Sequence, residues 1–205
     1  MQTDEATLAT AHQRSEEPVA PPADPATAPP REIHVYDGTL PLIGQLPQIG
    51  DLMPDFALTT GRGDTYSVIR PEHLLDYQRP MLFMVGSSVE TPVTCLQTLL
   101  FARRLSLFKG VQPLGVLVTS DLPFTLNSFA AARQLDDLVR GSDYLDRSFG
   151  INWGVLLDEC MLLTRAAFVV DVDGTICHVD VPDVYTNELD YESILSTLTT
   201  LCQNL

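Results

Sequence analysis

The sequence predicts an α/β fold in which helices flank a central mixed sheet, and three observations carry that reading. Met81–Val85 and Leu114–Val118 are continuous apolar runs too short for independent helices, so both read as strands buried on two faces. The segment between them has the marks of a helix, and strand, helix, strand in that order implies a right-handed parallel crossover. Ala166–Val170 and Thr175–Val179 flank the turn Asp171–Gly174 and read as an antiparallel pair. Parallel and antiparallel neighbours together make the sheet mixed.

At 205 residues the chain fits one domain plus a tail, and 45% apolar content is enough for a sizeable core. Residues 1–30, ending PVAPPADPATAPPR, are rich in Ala, Pro, Glu and Thr. Such a composition buries too little surface to offset its ordering entropy, so it predicts a disordered acidic tail, with the domain spanning 31–205. Ile33–Tyr36 and Thr39–Ile43 flank Asp37-Gly38, a two-residue hairpin signal. Met53–Leu58 reads as a short strand entered through Pro54, and Gly61–Asp64 as a turn; its Arg62-Gly63-Asp64 tripeptide matches a cell-adhesion motif but needs only the turn reading. Pro71–Tyr77 reads as a short helix leading into the strand at 81–85.

The central helix is predicted from Thr91, an N-cap residue followed by Pro92, through Phe101 and Leu107 to Lys109-Gly110. Thr119–Pro123 is then the loop at the carboxyl end of the second strand, the edge where open α/β sheets bind ligands. Phe124–Leu135 reads as a helix, Tyr144–Phe149 as a short helical piece, and Tyr191–Leu201 as a closing amphipathic helix with Ile194, Leu195, Leu198 and Leu201 on one face.

Composition narrows the function. There are 27 acidic residues against 12 basic ones, a net charge of −15, which repels phosphate backbones and argues against nucleic acid or an anionic membrane as partner. No apolar segment approaches the roughly 20 residues of a membrane span, and the N-terminus has neither a basic start nor an apolar run. A cytoplasmic protein is expected. Cys95, Cys160, Cys177 and Cys202 are widely spaced without a CxxC pair, which argues for reduced thiols rather than a zinc site or disulfide scaffold. The Asp171–Gly174 stretch opens like a calcium loop, yet Pro182 stands at its twelfth position, so no metal is expected. No cofactor is expected either.

The sharpest chemical feature is a strand, a tight loop and a cysteine in the first turn of a helix. The opening N–H groups, on Val93, Thr94 and Cys95, are predicted to be unpaired and to stabilise a thiolate or an anionic oxygen. The competing reading makes Cys95 a small buried hydrophobe.

Seven segments in order, DGTLPLIG, IGDLMPDFAL, SSVETPV, SDLPFTLNSF, DRSFGINWGVLL, LLTRAAFVVDVDG and VPDVYTNELDY, resemble the bacterial thiol peroxidase group of peroxiredoxins over about 31–205. The resemblance implies a thioredoxin-like (peroxiredoxin) fold with an N-terminal β-hairpin, and a homodimer. It also implies a hydroperoxide substrate, a peroxidatic cysteine that becomes a sulfenic acid, and a second cysteine that resolves it. The family pattern is Pro-x-x-x-Thr-x-x-Cys with a distant arginine; the threonine matches Thr91 and the arginine Arg165.

Two departures matter. Counted from Thr91, the peroxidatic position falls on Thr94, with Cys95 one residue later and Ser87 at the motif proline; the resolving position falls on Ala130. One residue along a helix rotates a side chain by about 100°. Two readings stand open. In one, the chain is a one-cysteine peroxidase with Cys95 as nucleophile, Arg165 lowering its pKa, Thr91 orienting the peroxide and an external, thioredoxin-like thiol as reductant. In the other, it is a catalytically inactive homologue acting as a binding or structural protein. A thiol at Cys95 facing Arg165 favours the first; Thr94 in that place favours the second.

Overall fold

The computed structural model describes residues 30–35, 38–62 and 65–205. The predicted tail, Pro30 apart, lies outside the described residues, as do the hairpin tip Tyr36-Asp37 and the turn pair Gly63-Asp64. In chain order the strands and helices begin with β1 (Glu32–Val35) and β2 (Gly38–Ile43), the antiparallel ribbon signalled by Asp37-Gly38, with Val35 opposite Gly38. The two residues of β8 (Leu156–Leu157) extend this ribbon into a small second sheet.

Between them lies the central sheet. β3 (Leu58–Arg62) and β4 (Thr65–Ile69) form a hairpin, α1 (Pro71–Leu75) follows, and β5 (Met81–Gly86) pairs in parallel with β6 (Leu114–Thr119) across α2 (Pro92–Leu105). α3 (Pro123–Arg133) leads to β7 (Val139–Ser142) and α4 (Ser148–Asn152). β9 (Ala166–Val170), β10 (Ile176–Asp180) and α5 (Tyr191–Gln203) complete the domain. The strand order is β10-β9-β5-β6-β7-β3-β4, parallel at β5-β6-β7 and antiparallel elsewhere.

β5, β6 and β9 occupy the middle and have every residue buried, as their unbroken apolar runs demand. One sheet face packs on an aromatic cluster of Phe56, Phe83, Phe149, Trp153 and Phe168; Phe149 and Trp153 stack at 4.6 Å. On the other face α2, α3 and α5 bury Phe101, Leu126, Phe129, Ile194 and Leu198.

Several expected boundaries move. Met53–Leu58 is not a strand: Pro54 has no N–H to give a ladder, and the segment instead buries Met53 and Phe56 while the Ala57 N–H donates to Ser148 Oγ at 2.8 Å. Gly61 and Arg62 belong to β3 rather than to a turn. β3, β4 and β7 were not expected: β3 and β7 are short and rich in polar residues and glycine, and β4, where Tyr66 and Val68 do alternate with Thr65 and Ser67, is a five-residue exposed sheet edge. The helical piece expected at 144–149 sits at 148–152, and α2 ends at Leu105 with Ser106 as its cap. Among the described residues no helix is long and apolar enough to cross a membrane.

Candidate active site

The carboxyl ends of β5 and β6 and the amino end of α2 meet in one corner. Gly86 closes β5, and a Cβ there would lie 2.5 Å from Thr94 Oγ1, so glycine is what lets the first turn of α2 rest on the strand end. The loop that follows is fastened at Ser87, Ser88 and Val89. Asp121, from the β6–α3 loop, accepts from Ser88 Oγ at 2.6 Å, from the Val89 N–H at 2.8 Å and from Thr119 Oγ1 at 2.8 Å. The Ser120 N–H donates to the Ser87 carbonyl, and Ser87 Oγ lies 2.6 Å from the Tyr185 hydroxyl. This is not a loop with slack to shift the helix register by one residue.

Thr91 is the N-cap. Its hydroxyl donates to the Ser88 carbonyl at 2.8 Å, accepts the Thr94 N–H at 3.3 Å, and lies 3.0 Å from the Thr94 hydroxyl. The Cys95 N–H donates to the Thr91 carbonyl at 3.0 Å. Of the three N–H groups expected to be unpaired, those of Thr94 and Cys95 are therefore satisfied, because a threonine cap supplies both a hydroxyl and the first helical carbonyl.

α2 presents Thr94, Gln97, Thr98, Phe101 and Leu105 to the interior. Thr94 is 1% exposed and points at the strand end. Cys95, turned by one helical step, is half-buried against the cluster of Phe101 and Ile194, a free thiol with no hydrogen-bond partner among the described residues.

Arg165, 5% exposed at the entrance to β9, donates through Nε to Gln97 Oε1 at 2.8 Å, through Nη1 to the Asn187 carbonyl at 2.6 Å and through Nη2 to the Tyr191 hydroxyl at 2.9 Å. Gln97 in turn donates to the carbonyls of Val85 and Ala166 at 3.1 and 3.4 Å. The guanidinium thus faces neutral acceptors; the ion pair among the described residues joins Arg31 to Asp183 instead. Burial pushes the Tyr191 hydroxyl pKa up, opposed by the Arg165 charge. Gln97, Asp121, Tyr185, Asn187 and Tyr191 carry no local signal for the site, because α2, the β6–α3 loop, the β10–α5 loop and the start of α5 meet only in the fold.

Ala130, where the resemblance puts the resolving position, is a buried core methyl of α3. Cys177 and Cys202 are half-buried with their thiol pKa values raised, chiefly by burial. Cys160 is exposed on a turn whose neighbours Glu159 and Met161 have left-handed backbone, and it lines a cavity of about 290 Å³ beside Thr91. Val35, Leu40, Leu157 and Leu162 make that cavity largely apolar, with the hydroxyls of Ser87, Thr91 and Tyr185 on its wall.

Residues 48–195 match the Redoxin family model. The chain is 33% identical over 158 residues to a thiol peroxidase of Oceanobacillus iheyensis, covering 77% of this chain and 92% of that protein. It is 33% identical over 166 residues to a thiol peroxidase of Staphylococcus aureus, covering 80% and 96%. Its fold is similar to that of the thiol peroxidase from Chromobacterium violaceum, with a TM-score of 0.72 at 22% identity over 85% of this chain and 98% of the other.

Proposed function

The chain belongs to the Redoxin family, among proteins similar to bacterial thiol peroxidases, and we propose that it is a member in which the cysteine cycle has been given up and the site retained for binding. The observation that carries this is Thr94: it fills the inward position of the first turn, hydrogen-bonded to its own cap and seated on Gly86. Peroxide reduction needs a thiolate that attacks the terminal oxygen of ROOH, breaks the O–O bond, releases ROH after proton uptake and leaves a sulfenic acid. A threonine hydroxyl is far too weakly acidic to begin that step. What remains is an apolar cavity walled by hydroxyls, suited to a small apolar molecule. The protein works in the cytoplasm as a homodimer, as its relationship to thiol peroxidases suggests, with the exposed apolar Leu122 and Phe124 of α3 available for pairing.

One observation favours the other reading. Cys95 is partly accessible and its sulfur has no hydrogen-bond partner, so a one-cysteine cycle through it would oxidise Cys95 with a hydroperoxide; two equivalents of an external, thioredoxin-like thiol then return it, forming their own disulfide and water. Thr91 and Arg165 would act as its peroxide-orienting and charge-supplying groups. The test is peroxide consumption with a dithiol reductant, together with dimedone trapping and mass spectrometry, on wild type and Cys95→Ser. The binding reading expects no consumption above the free-thiol background and no preferential labelling of Cys95. Fast labelling at Cys95 with turnover overturns it.

A further inference from the structure

In a chain with 27 acidic residues in 205, none occurs between Thr91 and Ser120. The basic residues of that stretch, Arg103, Arg104 and Lys109, gather at the carboxyl end of α2 and just beyond it, about 21 Å along the helix from Thr91. Two arginines in a last helical turn complement the macrodipole, which accounts for their sign. It does not account for what they border. Past the Ser106 cap the chain turns back over α5, and Leu107, Phe108, Leu195 and Cys202 form the apolar wall of a cavity of about 380 Å³ whose remaining lining includes Arg104 and Lys109 and no acidic residue. Leu107 is 65% exposed there, and among the described residues neither cation has an ion-pair or hydrogen-bond partner.

We propose that this cavity binds a medium-chain fatty carboxylate, its head between Arg104 and Lys109 and its chain along Leu107, Phe108, Leu195 and Cys202. The argument is one of complementarity on both counts. Two unpaired cations beside an apolar wall select a ligand with one anionic end and one hydrocarbon end, and the overall charge of −15 disfavours anions that lack such a local match. The volume lies near the small end of the range of about 300–1,000 Å³ seen for ligand sites, which suits a single unbranched chain rather than a two-tailed lipid. The site is separate from the cavity beside Thr91 and does not depend on whether Cys95 reacts.

The test is isothermal titration of the full chain with decanoate, decanol and butyrate. Decanoate should bind saturably at one per chain, and decanol and butyrate, each lacking one half of the match, at least tenfold more weakly. Arg104→Glu/Lys109→Glu and, separately, Thr199→Trp, which adds bulk at an exposed wall position, should each weaken decanoate at least tenfold while circular dichroism shows the wild-type melt. Arg104→Gln/Lys109→Gln serves if charge reversal perturbs folding. Absence of saturable decanoate binding overturns the proposal, as do decanol binding as tightly as decanoate and a neutralised variant binding as wild type does; the last would place the ligand elsewhere.

Discussion

The two ends of α2 obey opposite rules. At the amino end the buried polar side chains bond within the protein: Thr91 caps Thr94, Asp121 holds Ser88 and Val89, and Arg165 donates to Gln97, Asn187 and Tyr191. At the carboxyl end Arg104 and Lys109 stand over an apolar wall, unpaired among the described residues. The difference teaches where ligand-directed chemistry is to be sought. A buried polar network that satisfies itself specifies structure, whereas an exposed charge held beside apolar surface keeps its interaction free for something else. The hydroxyls of Thr91 and Thr94 and the side chains of Gln97 and Arg165 bond to one another or to nearby backbone.

The strongest way to break this comparison is to remove Arg165. Arg165→Ala leaves Gln97 Oε1, the Asn187 carbonyl and the Tyr191 hydroxyl without their donor and opens a cavity, which should cost about 3–4 kcal/mol. In a chain this size that lowers Tm by roughly 10 °C. A drop below about 2 °C would mean the network at the amino end is not what holds α5 and α2 together.

The same corner holds Asp143, at the end of β7, whose N–H donates to the Thr119 carbonyl. It is 2% exposed, and desolvation raises its pKa from 3.8 to about 6, against the hydrogen bonds it accepts from the Phe149 and Gly150 N–H groups. Because the folded pKa is the higher one, the folded chain holds this proton between about pH 4 and 6 while the unfolded chain has lost it. Its contribution is therefore greatest below pH 4 and falls as pH rises through 6, by about 3 kcal/mol in all. Thermal melts of wild type and Asp143→Asn across pH 4–7 should diverge over that window; parallel curves would show that this carboxyl ionises freely.

Thr94→Cys sharpens the comparison by returning a thiol to the inward position. With Thr91 capping that turn and Arg165 one helical turn away through Gln97, the introduced thiol should ionise below pH 6, giving roughly thirty-fold more thiolate at pH 7 than a free cysteine of pKa about 8.5. Dimedone trapping at the introduced thiol after one equivalent of hydrogen peroxide is the readout. If labelling is no faster than at Cys160, this corner does not lower the pKa of a thiol.

The smallest effects belong to the other end. Arg103→Ala, Arg104→Ala and Lys109→Ala should each change stability by less than about 0.5 kcal/mol, since surface charges without partners contribute little. Removal of residues 1–30, with Asp4, Glu5, Glu16, Glu17 and Asp24, should leave Tm within about 2 °C. A larger shift would mean that the acidic tail packs on the domain.

The sequence by itself determined the middle of the sheet and the way α2 begins. β5, β6 and β9 are apolar on both faces, so burial alone assigns them, and Thr91-Pro92 is a local cap that needs no distant partner to be recognised. The placement of Thr94 one helical turn after the Thr91 cap is local in the same way. Only the tertiary structure decided the rest. β3 and β7 have too little apolar content to announce themselves and β4 is short and exposed, so all three are fixed by pairing with neighbouring strands. Asp121 and Tyr185 fasten the site loop from far along the chain, and Arg165 donates to neutral acceptors, Gln97, Asn187 and Tyr191. Such choices depend on which side chains the fold brings within about 3 Å, a distance that local pattern does not encode.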